Sequence, residues 1–247
     1  LARKKGLKMN EYGLFDENEN TIKCDTESEI FKYLSMSYIP PELREDMGEI
    51  DAALKYELPK LITMADIRGM IHVHSNYSDG LNTIEELAEA AREKEFEYLV
   101  ICDHSRSASY ANGLTEERIL QQMAEIDRIN ASFTDFKVFK GIECDILMDG
   151  TLDYADRTLS MFDVVIASIH SKFQMSEKEA TNRMLRALEN PHVMIIGHPT
   201  GRLLLAREGY PIDMTRIIES AASQGVAMEL NANPHRLDID WRLLKPA

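Results

Sequence analysis

Histidines and carboxylates recur at equivalent places along this chain, and those places define the chemistry it can do. Of seven histidines, five follow short apolar runs: His72 and His74 at the end of the first, then His104, His170 and His198, each just after another. Asp79 in the Ser78-Asp79-Gly80 turn, Asp103 beside His104, and Glu143 and Asp145 after a further run occupy matching positions. If the runs are strands of β/α units, their C-terminal ends converge on one face and bring these side chains together. Imidazole suits Zn, Fe or Mn and carboxylate suits Mn or Mg, so the mixture is a ligand set for borderline divalent ions. His72 and His74, two apart on a strand, point to one face and can grip one ion. Centres holding several such ions activate water and clamp the attacking and leaving oxygens of a phosphate ester, which makes phosphoester hydrolysis the natural reaction class.

Taken singly, each residue has a plainer explanation. A histidine ending a strand is commonly a half-buried, hydrogen-bonded residue, Asp79 before Gly80 suits a turn, and Asp103 suits a loop cap. The joint pattern favours the metal reading, with Asp145 equally placed to support a ligand from behind. His192 and His235 each follow a proline and read as structural. Asp238-Ile239-Asp240 has the form of a two-metal nucleotidyl transfer site, but no glycine-rich phosphate loop precedes it, so it also reads as structural. Arg202, Arg207 and Arg236 lie near the metal face, where guanidinium groups can bind phosphate bidentately, with surface salt bridging as the equal alternative. Arg202 and Asp103 are the lesser catalytic candidates.

The elements that must position these groups are legible from Ile67 onward. Apolar, β-branched runs cover Met70 to Val73, Tyr98 to Cys102, Phe136 to Ile142, Val164 to Ile169, Val193 to Ile196 and Val226 to Leu230. Between them lie amphipathic helices with marked ends. Thr83 with Glu86 and Ser176 with Glu179 form capping boxes, Thr115 opens a third helix, and Asp213 opens a fourth that stops at Gly225. Six strands alternating with helices predict an α/β fold with a barrel-like parallel sheet over residues 65–247. Residues 1–64 lack strong strand signals and predict a small, mostly helical leader.

Composition sets limits. The formal charge of −14 argues against a broad basic nucleic-acid surface, so any DNA contact must be local. Nothing approaches the roughly 18 consecutive apolar residues of a membrane span, and no signal-peptide pattern opens the chain, which reads as cytoplasmic with no membrane partner. Cys24, Cys102 and Cys144 are far apart and odd in number, the pattern of free thiols.

The ordered motifs His72-Val73-His74 through Ser78-Asp79-Gly80, Cys102-Asp103-His104-Ser105, Gly141-Ile142-Glu143-Cys144-Asp145, Ala167-Ser168-Ile169-His170-Ser171 and Gly197-His198-Pro199 resemble those of the polymerase and histidinol phosphatase (PHP) family. Leu152-Asp153-Tyr154, Gly201-Arg202-Leu203-Leu204 and the stretch from Glu229 to Asp238 resemble the branch fused to bacterial-type family X DNA polymerases. Glu11 to Phe15 and Ile39 to Glu45 are similar to the end of that polymerase's thumb and its linker. The resemblance implies a distorted seven-stranded, TIM-like (β/α) barrel with up to three divalent metals, Mn2+ or Zn2+, and a 3'-to-5' exonuclease processing DNA 3' ends in repair. By motif position, His72, His74 and Glu143 hold one metal, Glu143 bridges to a second held by His170, and Asp79, His104 and His198 hold the third. The family's last strand carries an Asp-x-His motif that nothing after Leu230 supplies, so the barrel is expected to be one strand short, with the polymerase palm lying before Leu1 in a parent chain.

Three alternatives remain at this level: a PHP-family phosphatase for a small monoester such as histidinol phosphate, a non-catalytic domain stabilising an attached polymerase, and an amidohydrolase. The last normally shows a bridging lysine near its metals, and no lysine ends any of the six runs.

Overall fold

The computed structural model describes residues 1–245, which divide into two compact units, Leu1–Met64 and the chain from Ala65 onward. The first unit carries helices, as expected, together with short strands that the sequence did not signal. It contains a three-stranded antiparallel sheet, β1 (Lys8–Asn10), β2 (Gly13–Phe15) and β3 (Thr21–Ile22), besides α1 (Glu27–Tyr33) and α2 (Glu49–Lys55). The strands are two or three residues long, too short to show alternation, and the turn between β1 and β2 is set locally. Asn10 Oδ1 accepts from Tyr12 N at 2.9 Å, and Gly13 supplies a φ of 139°. Leu34, Met36, Ile39 and Ala53 form this unit's own core.

The second unit is an α/β fold. Its strands are β4 (Gly69–Val73), β5 (Tyr98–Ile101), β6 (Lys137–Asp145), β7 (Val164–Ser168), β8 (Ile195–Ile196) and β9 (Ala227–Met228). They pair in parallel in sequence order, with helices α3 (Ile84–Glu93), α4 (Glu116–Asn130), α5 (Asp156–Leu159), α6 (Glu177–Leu188) and α7 (Met214–Gln224) in the connections. Both capping boxes form, and Thr115 and Asp213 accept from the amides of Arg118 and Arg216. Alternation sorts β5: Leu99 and Ile101 pack with Ile84, Ala88 and Ile126 of the helices, whereas Val100 joins Ile166 and, one residue beyond the strand, Cys102 on the opposite face.

The sheet is curled. In a flat sheet β4 and β9 would stand roughly 24 Å apart, five spacings of about 4.8 Å. Here His72 on β4 lies 2.5 Å from Glu229, one residue past β9. The fold is therefore a half-barrel of six strands whose C-terminal ends face a common centre, and among the described residues no ladder joins β4 to β9. No described helix is long and apolar enough to cross a membrane.

Candidate metal centre

Glu143 lies inside β6 rather than after it, because that strand runs on to Asp145, and its side chain is 1% exposed. Five imidazoles close around this one carboxylate. Its Oε1 is 3.0 Å from His72 Nε2, 3.1 Å from His170 Nε2 and 2.8 Å from His198 Nε2. Its Oε2 is 3.0 Å from His104 Nδ1 and 3.6 Å from His74 Nε2. Asp79 approaches from the exposed side, 3.3 Å from His74 Nδ1 and 3.5 Å from His104 Nε2. All seven residues line one cavity of about 610 Å3 at the strand ends, shared with Tyr110, Asn231, Asn233 and Arg236.

Simple strand alternation does not deliver His72. The β4–β5 register shifts between Met70 and Val73, and His72 has a φ of +63°. A bulge therefore re-aims the ring, at a backbone conformation that costs a non-glycine residue about 1–3 kcal/mol. His198 also has a positive φ, 26°. Gly80 permits the Asp79 turn, since a Cβ there would sit 2.3 Å from the His74 carbonyl oxygen.

The electrostatics follow from burial against charge. Burial depresses His72, but hydrogen bonds and charge from Glu143 and then Glu229 outweigh it and raise its pKa to about 10. Burial likewise opposes the charged form of His170, and the Glu143 charge with the Asp145 hydrogen bond lifts it to about 9. His74, where burial dominates, falls to about 4, and burial also lowers His198. Burial would raise Glu143, yet His170, His104 and His198 hold it well below the usual carboxylate range.

The donor set fits divalent cations. Among the described residues three groups each bring their ligand atoms within 4.8 Å of one another: His72, His74 and Glu143; His74, Asp79 and His104; His104, Glu143 and His170. The buried His198 Nδ1 makes no hydrogen bond, and the buried Nδ1 atoms of His74 and His104 approach Asp79 and Glu143 at 3.3 and 3.0 Å without hydrogen-bond alignment. Such orphaned imidazole nitrogens beside carboxylates are what cation ligands look like without the ion. His198 groups differently from the family-based expectation: it sits on Glu143 and is absent from the cluster formed by Asp79 and His104.

Other expected residues separate. Asp103 does not reach the cavity: it is fully buried and accepts from Ser75 N at 2.7 Å, Ser75 Oγ at 2.5 Å, Gln122 Nε2 at 2.6 Å and Ser78 Oγ. Its oxygens hold the turn carrying Asp79, which replaces the catalytic role expected of it. Arg202 is spent on Asp240 at 2.8 Å and on the carbonyls of Arg236 and Leu237, and Arg207 on the Gly201 carbonyl and the face of Phe173. Neither lines the cavity, whereas Arg236 does, with a buried Nη1 that has no partner. Asp145 accepts from His170 Nδ1, and Asp238 accepts from the amides of Thr200 and Gly201, so both are supporting groups. Glu229 and Tyr110 were not anticipated. Glu229 carried a signal, since it is an acidic residue near the end of the run Val226 to Leu230; Tyr110, in a short 3-10 turn, carried none.

Parallel strands with a histidine and carboxylate cluster at their C-terminal ends define a hydrolase of the phosphoesterase class. The chain belongs to the PHP domain family, whose model matches residues 71–233, and residues 1–45 match the DNA polymerase beta thumb. It is 45% identical over 240 residues to the DNA polymerase/3'-5' exonuclease PolX of Bacillus subtilis, covering 97% of this chain and 42% of that protein. It is 30% identical over 165 residues to a probable phosphatase of Caldanaerobacter subterraneus, covering 65% of this chain and 60% of the relative. The chain thus spans less than two thirds of either relative. Among solved structures, histidinol phosphate phosphatase from Lactococcus lactis, complexed with zinc, L-histidinol and phosphate, aligns with a TM-score of 0.43 and 15% identity over 65% of this chain and 72% of that one.

Proposed function

We propose that this chain is the metal-dependent phosphodiesterase part of a bacterial-type family X DNA polymerase, removing nucleotides from DNA 3' ends in repair within the cytoplasm. The observation that carries the proposal is the pairing of the Glu143-centred histidine cluster with a thumb-like segment in one chain, at 45% identity to a polymerase/exonuclease over 97% of its length. His72, His74, Asp79, His104, Glu143, His170 and His198 would hold Mn2+ or Zn2+, up to three ions. Bound cations supply Lewis acidity and lower the pKa of water near the phosphoester. Glu143 fixes five rings in one orientation, and Asp145 holds His170 from behind so that Nε2 faces the cavity. Arg236, with its unpartnered Nη1 at the cavity, binds the phosphate. The overall charge of −14 limits DNA contact to local groups such as Arg236 at the cavity.

A second reading, a phosphatase for small monoesters, is favoured by the probable phosphatases that align over 65% of the chain. Mn2+-dependent shortening of a 5'-labelled oligonucleotide, run beside histidinol phosphate, separates the two. Shortening by the wild type, reduced more than about 100-fold in His104→Ala and in His198→Ala, is the expected result. Unchanged activity in both variants would remove the assignment. Turnover of the monoester alone would transfer the site to the second reading, and inertness toward both substrates with metal bound would leave a non-catalytic domain.

A further inference from the structure

Glu229 stands outside the proposed ligand set yet ties its strained members together. Its Oε1 is 2.5 Å from His72 Nδ1, and its Oε2 accepts from the His198 backbone amide at 2.6 Å and from Asn231 Nδ2 at 3.3 Å. His72 and His198 are the cluster's two positive-φ residues, so one oxygen of this carboxylate holds the ring carried on one unfavourable backbone and the other holds the backbone amide of the second. The contacts also bind the first strand of the half-barrel to the last, β4 to β9, directly beneath the cavity. The geometry points to Glu229 as a positioning residue that keeps a proton on His72 Nδ1, so that Nε2 is the nitrogen that gives up its proton to take a cation at the Glu143 cluster, and so sets cation affinity there.

The chemistry makes the carboxylate irreplaceable by its amide. Both oxygens of Glu229 accept, one from a ring N–H and one from a main-chain N–H. Glutamine has a single acceptor. If its carbonyl serves the His198 amide, its NH2 faces His72 Nδ1, which must then accept, moving the ring proton to Nε2 and removing the lone pair aimed at the cluster. If its carbonyl serves His72, two N–H donors oppose each other at His198. Either way a nearly isosteric change disturbs a ligand without removing one.

This inference rests on the metal reading of the site. Its test is titration of the metal-free chain with Mn2+ and with Zn2+, comparing wild type, Glu229→Gln and Glu229→Asp, with far-UV circular dichroism as the folding control. A loss of about 10–100-fold in affinity for at least one cation in a folded Glu229→Gln protein is expected. Wild-type affinity in that variant overturns the inference while leaving the metal reading intact. Absence of binding by the wild type overturns both. Should Glu229→Gln fail to fold, long-range proton–nitrogen correlation on the Zn-loaded wild type decides: the His72 ring proton on Nδ1 supports the inference, and a proton on Nε2 overturns it.

Discussion

His198 Nε2 lies 2.8 Å from Glu143 Oε1, joining residues 55 positions apart on β6 and just past β8. Four further histidines share the same carboxylate, so a single buried group organises the whole cluster. Its removal has a predictable outcome. Glu143→Gln keeps the volume and loses the charge, leaving five imidazoles without their common anion, and metal uptake should fall by more than about 100-fold. Elemental analysis after loading with Mn2+ measures it, and a full complement of metal in the variant would contradict Glu143 as the hub.

Asp103 should matter for stability first. Replacing it with alanine strands the buried Ser75 amide and hydroxyl, the Ser78 hydroxyl and the Gln122 amide, at a cost of about 3 kcal/mol. Urea unfolding gives the value. An Asp103→Ala protein of wild-type stability and no activity would restore the catalytic role.

Gly80→Ala tests the turn that carries Asp79. The added methyl would meet the His74 carbonyl oxygen at 2.3 Å and the Ser75 carbonyl carbon at 2.8 Å, so the backbone has to open. Asp79 then moves away from His74 and His104. About 1–3 kcal/mol of stability and any cation that those three residues hold should be lost together, read by unfolding and by metal stoichiometry. Retention of both would mean that the turn yields without moving Asp79.

Acidity gives a fourth expectation. In the metal-free protein His72 titrates at about 10 and His170 at about 9, above the ordinary value near 6.5. Their contribution to stability is therefore complete below about pH 6.5 and is lost as pH rises through about 9 to 10. Cation binding needs the unprotonated Nε2 of both, so loading at neutral pH should release about two protons and tighten as pH rises. Calorimetry in two buffers of different ionisation enthalpy counts the protons; no release would show both rings neutral beforehand.

The sequence by itself determined the class of fold and most of the ligand candidates, because those depend on local pattern. Apolar runs alternating with capped helices dictate β/α units, and a histidine or acid after a run is carried to the strand-end face whatever its neighbours. Hence His72, His74, His104, Glu143, His170 and His198 were legible as a group before any distance was known. Short-range geometry was less legible where elements are brief: the strands of the first unit offer too few residues for alternation to show. Only the tertiary structure decided which acids face the cavity and which stand behind it. Asp103 and His104 are adjacent, yet the backbone sends one into the turn at Ser75 and the other to Glu143. Arg202, Arg207 and Arg236 are equivalent by composition, but backbone carbonyls and Asp240 occupy the first two and leave the third at the cavity. The meeting of His72 with Glu229, 157 residues apart, follows from the curl of the sheet, a property of six paired strands together that no local segment encodes.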